Sequence, residues 1–366
     1  MHTRRTIAAL GAATIASSCA TARNLLHPSR GRLAPVHVAA ERIIRVDVGL
    51  RPYRASGFRV EREVLGEKAL IHNYGHGGGG ITLSWGTAKL AVDLGYDGGK
   101  PDCAVIGCGA VGMATARLLQ ERGARVRIYA RDLPPNTTSD VAGAQWWPSS
   151  VFHTPEVRPQ FLEQYYTAAH FAFRRYQTFV GDVYGVSWEA NYSLSDTPTT
   201  TYPAREDSPM RDLVINQQDL APHEHPFAAR YVRRFDTMMI ETPLYLRRIE
   251  ADVREAGGEI VVREFHDVAE LRTLPEQTIF NCTGLAAGRL FGDTTIEPVR
   301  GQLVILEPQA EVDYNVLRDG DYMFGRRDGI VLGGTFQHGN WSTEPDPEVT
   351  QRLLRHHQEI FGAMRQ

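Results

Sequence analysis

The sequence predicts an α/β fold in which a Rossmann-type dinucleotide-binding domain, built on a parallel sheet, is interleaved with a mixed-sheet substrate domain. Three observations predict it. Residues 102–106 read as a short buried strand running into Gly107-Cys108-Gly109-Ala110-Val111-Gly112, followed by a helix over 113–122, Gly123 and a strand over 125–129. Strand, glycine turn, helix, strand is the context that a dinucleotide fingerprint requires. A second glycine-rich loop, Asn73-Tyr74-Gly75-His76-Gly77-Gly78-Gly79-Gly80, follows a short apolar strand and opens another helix. Finally, 366 residues with 42% hydrophobic and 23% charged content can bury a large core, and exceed what one compact core usually holds.

Taken in order, residues 1–22 read as an export signal: Arg4-Arg5 lead into a mildly apolar, charge-free stretch over 6–20, and Arg23 follows. The arginine pair suggests the twin-arginine route, and Cys19 after Ala16-Ser17-Ser18 offers a lipidation site. A bacterial protein exported to the periplasm or beyond is therefore expected, with a disordered N-terminus as the alternative. Residues 23–42 form a linker. Residues 43–97 alternate as strands over 42–48 and 58–64, then place a short strand at 69–72, the glycine loop, and a helix over 82–94. The nucleotide-binding βαβ unit occupies 101–150. A substrate domain follows over 151–245, with an aromatic helix at 161–180 and proline-bounded strands. Residues 246–292 return to the nucleotide domain through a helix, a strand at 259–263 and a buried strand at 278–282. Residues 293–342 continue the substrate domain with strands at 302–306, 322–325 and 329–332, and 343–366 close the chain with a helix.

A net charge of −3 leaves no basic footprint for nucleic acid and no polybasic run for an anionic membrane, so a small-molecule partner is expected and no membrane span. Cys19, Cys103, Cys108 and Cys282 lack the paired spacing of a disulfide framework or zinc site, and no metal is expected.

The fingerprint glycines Gly107, Gly109 and Gly112 allow a tight turn, close approach to a pyrophosphate and helix packing. The helix start at Ala110 and Val111 supplies backbone donors. An acidic residue after the second strand commonly holds a ribose hydroxyl; here Arg131-Asp132 offers Asp132, which otherwise is a solvated turn residue before Pro134. Four glycines after His76 clear the approach of a flat ring or an anion, or else form a surface loop. Arg51 and Arg54 flank Pro52. A rigid guanidinium grips a carboxylate with two parallel hydrogen bonds, although a surface ion pair is the ordinary role. Tyr322, likewise, is by default a sheet aromatic with its hydroxyl at the edge.

Several stretches together resemble the D-amino-acid oxidase family. Val48-Gly49-Leu50-Arg51-Pro52-Tyr53-Arg54 is similar to its carboxylate-binding strand, and Ile71 through Thr82 to its flavin-binding C-terminal loop. Thr137-Thr138-Ser139-Asp140-Val141-Ala142-Gly143 and Gln145-Trp146-Trp147-Pro148 resemble its second flavin stretch. Asn281-Cys282-Thr283-Gly284, Arg300-Gly301-Gln302 and the segment 332–341 match further signatures. The order differs: residues 43–94 precede the fingerprint here, whereas in the family that segment comes last. The chain thus resembles a circular permutant joined at Asp97-Gly98-Gly99-Lys100.

The resemblance implies a D-amino-acid-oxidase-like fold binding FAD through Gly107, Gly109, Ala110, Val111, Gly112, Arg131, Asp132, Thr137, Thr138, Ser139, Gly143, Ala144, Gln145, Thr283 and Gly77-Gly78-Gly79-Gly80-Ile81-Thr82. It implies oxidative deamination of D-amino acids by hydride transfer, giving 2-oxo acids, ammonia and hydrogen peroxide, with the D-amino acid and molecular oxygen as partners. Arg51 would grip the substrate carboxylate, Tyr322 would donate a second hydrogen bond, and the Gly78 carbonyl would accept from the amine. Arg318 stands where animal members carry a second tyrosine and offers a cation to acidic side chains. Phe336 stands where D-aspartate oxidases carry arginine, so neutral substrates are favoured. D-aspartate or glycine/sarcosine oxidation, a dehydrogenase using another acceptor, and a non-catalytic flavin module are the alternatives; a homodimer is allowed by the sequence but not readable from it.

Overall fold

The computed structural model describes residues 33–99, 102–198 and 203–365. The export signal at 1–22, Cys19, residues 23–32 of the linker, and Lys100 at the joint lie outside the described residues.

Residues 43–54 form one strand of twelve residues, β1 (Ile43–Arg54), which runs beyond the strand expected over 42–48. Pro52 is tolerated because β1 ends its sheet and β11 is its one partner strand, where Pro52 stands opposite another proline, Pro298. Arg51 therefore stands within a strand, and Arg54 is its last residue. β2 (Arg59–Leu65) and β3 (Lys68–Tyr74) form a hairpin whose turn uses Gly66 at φ 65°. The exposed charges Glu61, Arg62 and Glu63 protect this outer edge. The glycine loop forms a 3-10 turn over Gly77–Gly79, so the next helix, α1 (Ser84–Gly95), starts two residues later than expected. β4 (Asp102–Ile106), α2 (Ala110–Glu121) and β5 (Arg125–Ala130) realise the expected βαβ unit.

α3 (Pro159–Gln177) starts on a proline, which suits a position whose N–H has no intrahelical partner. β6 (Val186–Ser195), β7 (Ile215–Leu220) and β8 (Tyr231–Ile240) follow, then α4 (Thr242–Glu255) and β9 (Glu259–Val262). α5 (Val268–Arg272) is capped by Asp267 and Glu270 acting reciprocally. β10 (Thr278–Asn281), α6 (Ala286–Phe291), β11 (Ile296–Leu306), β12 (Tyr314–Arg318), β13 (Asp321–Arg326), β14 (Gly329–Gly333), β15 (Gln337–His338) and α7 (Pro347–Gly362) complete the chain.

Two sheets result. The six-stranded one has the order β2-β3-β10-β4-β5-β9 and is parallel from β3 onward, with the wholly buried β10 between β3 and β4. The nine-stranded sheet is mixed, in the order β1-β11-β14-β13-β12-β6-β8-β7, with β15 also on β11. This is the expected fold class.

Helices α1, α2, α3 and α4 share the largest core with the six-stranded sheet. Gly86 lets α1 meet α3 closely: a Cβ there would stand 1.9 Å from the Ala168 carbonyl oxygen. Trp85 is buried beside it, and its Nε1 donates to Tyr245 Oη at 2.6 Å. Burying a side chain of this size contributes roughly 2–3 kcal/mol. Cys103 and Cys108 are buried, and desolvation pushes both thiols up to about 12, so they are packing residues. Among the described residues, no helix is long and apolar enough to cross a membrane.

Candidate functional site

A cavity of about 1340 Å³ is lined by residues of both sheets. This exceeds the roughly 300–1,000 Å³ of ordinary small-molecule pockets. Its wall includes Gly107, Gly109, Ala110, Val111, Arg131, Asp132, Thr137, Thr138, Ser139, Gly143, Ala144, Gln145 and Thr283, as well as Gly77, Gly78, Gly80, Ile81 and Thr82. Arg51 and Tyr322 stand on the same wall. Two expected residues do not reach it. Gly112 packs the fingerprint turn upon itself, since a Cβ there would lie 2.0 Å from the Gly107 carbonyl oxygen; Gly79 faces Val151 and Leu83. Both are packing glycines in this fold.

The fingerprint turn is as bare as a pyrophosphate requires. Gly107 has φ 109°, and a Cβ there would lie 2.4 Å from the Cys282 carbonyl oxygen. At Gly109, the only neighbour of an added Cβ would be Ser139 Oγ. Ser139 Oγ accepts from the Ala110 N–H at 3.0 Å, which ties the second flavin-like stretch to the start of α2. Thr137 donates to Asp140 through both its N–H and its hydroxyl. Ala144 and Ser150 hold φ 65° and 53°, a left-handed conformation that non-glycine residues adopt at a cost, and both line the cavity. Gln145 is fixed by a hydrogen bond from Nε2 to Asn191 Oδ1.

The glycine loop presses on residues 149–150: Gly78 N–H donates to the Ser150 carbonyl at 3.0 Å, and a Cβ on Gly78 would lie 2.5 Å from the Ser149 carbonyl oxygen. His76 is fully buried, stacks on Phe58 and lies 2.9 Å from Thr87 Oγ1. Burial lowers its pKa to about 3, so the ring is neutral at ordinary pH and holds the loop.

Arg51 Nη1 donates to the Thr335 carbonyl at 3.0 Å, and its guanidinium lies 4.6 Å from the centre of the Phe336 ring. Two glycines make room for this constellation. A Cβ on Gly301 would stand 2.5 Å from Arg51 Nη1, and one on Gly333 would stand 2.2 Å from Tyr322 Cζ. Burial raises the Tyr322 hydroxyl above its ordinary range, and the facing Arg51 guanidinium opposes that rise. Arg54, by contrast, pairs with Asp293 at 3.0 Å and donates to the Gly57 carbonyl, a structural role.

Sequence reasoning missed Glu264 and Arg289, which line the cavity beside Arg131 and Asp132 and pair with each other at 3.0 Å. Arg131 itself pairs with Asp132 at 2.7 Å. Glu264 follows β9 and Arg289 lies on α6, so only the pairing of β9 with β5 brings these groups together, and no motif marks them.

A glycine-cleared turn at a helix start, in a parallel sheet and facing a large cavity, defines a dinucleotide-binding protein. The FAD-dependent oxidoreductase family model, DAO, matches residues 11–94 and 102–366, and the chain belongs to that family. It is 31% identical over 268 residues to a D-amino-acid oxidase of Streptomyces coelicolor, covering 71% of this chain and 78% of that protein. It is also 31% identical over 260 residues to a human D-aspartate oxidase, covering 69% and 73%. Among solved structures, the glycine oxidase of Geobacillus kaustophilus overlaps 71% of this chain and 77% of its own, with a TM-score of 0.54 at 18% identity, a likeness of fold. The chain is an FAD-dependent oxidoreductase, and the glycine-lined turn and the cavity volume fit that cofactor.

Proposed function

We propose that this enzyme oxidatively deaminates neutral D-amino acids. The observation that carries the reading is the placing of Arg51 and Tyr322 on one cavity wall with the fingerprint turn and Gly78, although they come from opposite ends of the sequence. Bound FAD supplies the two-electron acceptor. Gly107, Gly109, Ala110, Val111, Ser139 and Thr283, together with Gly77 and Gly78, line the cavity and would hold FAD. Arg51 binds the substrate carboxylate through two parallel hydrogen bonds, and Tyr322 donates a third. The Gly78 carbonyl accepts from the amine. These contacts fix the α-carbon, so catalysis rests on orientation rather than on a general base. The neutral, fully buried His76 agrees with that role division. Loss of two electrons and two protons gives an imino acid, which water converts to a 2-oxo acid and ammonia; molecular oxygen takes the electrons as hydrogen peroxide.

Neutral substrates are favoured because Arg318 is already matched. Its Nη2 lies 3.0 Å from Asp196 Oδ2 and its Nε 3.5 Å from Asp319 Oδ2, so an acidic side chain would have to displace a carboxylate. Phe336 places a ring, not a cation, beside Arg51.

We further propose that the chain is a circular permutant exported by a twin-arginine signal. The family match breaks over 95–101, at the expected joint, and β1 to β3 enter the two sheets beside strands β11 and β10 from late in the sequence.

The test is an anaerobic titration of flavin-loaded protein with D-alanine, L-alanine, D-aspartate and glycine, followed by flavin absorbance and by oxygen uptake. Bleaching by D-alanine alone, lost in Arg51→Ala, is the expected outcome. Bleaching by D-aspartate or glycine in preference would transfer the assignment to those substrates, and bleaching without oxygen uptake would make the enzyme a dehydrogenase.

A further inference from the structure

Helix α7 meets the back of the substrate wall with one face. Arg352 and His356 are four positions apart, which places them on the same side of the helix, and His357 follows His356. Arg352 Nη1 donates to both oxygens of Asp321, at 3.0 and 3.2 Å, and its Nη2 donates to the Gly334 carbonyl at 3.0 Å. His356 Nδ1 lies 2.6 Å from Asp321 Oδ2, and His357 Nε2 lies 3.1 Å from the carbonyl oxygen of Tyr322.

These contacts end on Tyr322 itself or on residues next to the site. Asp321 and Tyr322 are consecutive on β13 and both border the cavity, and the Asp321 carboxylate is the group that α7 holds. Gly334 wraps the buried Asp321 so closely that a Cβ on it would stand 1.9 Å from Asp321 Oδ1. The next residue, Thr335, offers the carbonyl that Arg51 Nη1 uses. The same threonine accepts the Gln302 N–H, and Gln302 Nε2 donates to the Asp346 carbonyl and to Thr350 Oγ1 at the start of α7.

We infer that Arg352 and Asp321 are positioning residues for the substrate-carboxylate pair, with α7 setting the spacing between Arg51 and Tyr322. The inference rests on the proposed role of that pair. An ion pair with a buried carboxylate and several hydrogen bonds resists shifts of the two segments it joins, and here those segments carry the phenol and the carbonyl under the guanidinium. A displacement of about 1 Å at such a pair is enough to cost orders of magnitude in rate.

The experiment uses flavin-loaded enzyme carrying 3-fluorotyrosine, with the Tyr322 line identified by its absence in Tyr322→Phe. Asp321→Asn, Arg352→Met and Arg352→Lys are compared with the unaltered enzyme. In Asp321→Asn and Arg352→Met, the Tyr322 fluorine line is expected to shift or broaden. The Kd of propionate, read from the flavin absorbance, and the KM for D-alanine are both expected to rise about tenfold, with flavin affinity retained. Arg352→Lys recovers part of each change. An unmoved fluorine line overturns the inference, as does propionate binding that weakens only in step with flavin loss or unfolding. Should the unaltered enzyme neither bind propionate nor be reduced by D-alanine, the proposed function falls, while the fluorine line still decides whether α7 holds Tyr322.

Discussion

The guanidinium of Arg51 lies over the Phe336 ring, 4.6 Å from its centre, while its Nη1 is held by the carbonyl of the adjacent Thr335. Lysine keeps the charge but has neither the fork nor the flat face. Arg51→Lys is therefore expected to lower kcat/KM for D-alanine by roughly 30- to 1,000-fold, about 2–4 kcal/mol, with flavin binding unchanged. Steady-state oxygen uptake and a flavin titration check both halves.

Two glycine substitutions separate the substrate end from the cofactor end. Gly301→Ala pushes a methyl to 2.5 Å from Arg51 Nη1, so KM rises at least tenfold while flavin stays bound. Gly112→Ala pushes a methyl to 2.0 Å from the Gly107 carbonyl oxygen, main chain that has little room to yield, so the purified protein is expected to lack flavin. The ratio of flavin to protein absorbance, measured on both variants, distinguishes them.

His76 makes the protein acid-sensitive. Its folded pKa of about 3 lies below the ordinary 6.5, so between those values the unfolded chain binds a proton that the folded one does not. Stability therefore falls as pH drops through this window, on the order of 1 kcal/mol per pH unit. His76→Gln, followed by urea unfolding at pH 7 and pH 5, should lose less stability on acidification than the unaltered protein does.

Glu189 acts with the opposite sense. Burial raises its carboxyl from 4.5 to about 7, so the folded state keeps a proton that the unfolded state has released. Stability falls as pH rises from about 4.5 through 7, by on the order of 1–3 kcal/mol in all. Glu189→Gln should raise Tm at pH 8 and leave it nearly unchanged at pH 4.5, as thermal unfolding at the two values will show.

The fingerprint unit was legible because its signal is local: an apolar run, glycines where only bare backbone fits, and an amphipathic helix lie within one short stretch. Arg51 was legible only through resemblance, because an arginine beside a proline has no periodic signature. Its place inside β1 depends on β11, which supplies both the pairing and Gly301 beneath the guanidinium. Strand β12 went unseen for a related reason: Tyr314–Arg318 is short, and parallel pairing with β6 fixes it more than its own pattern does. Glu264 and Arg289 were missed because charges on separate segments carry no spacing. The pairing of Arg318 with Asp196 was likewise beyond sequence, and it changes that residue from a free cation to a matched one.

The late arrival of β10 between β3 and β4 governs how the protein can be made. During synthesis the fingerprint and glycine loop emerge early, yet the strand that separates their two supporting strands is supplied only at Thr278–Asn281. Until then β3 and β4 have no shared neighbour, and pairing them directly would trap a sheet one strand short. Closing so long a loop delays productive folding, and the unpaired edges are exposed to aggregation meanwhile. The cofactor pocket is thus a product of nearly complete translation, and a nascent chain halted before residue 278 should hold no flavin.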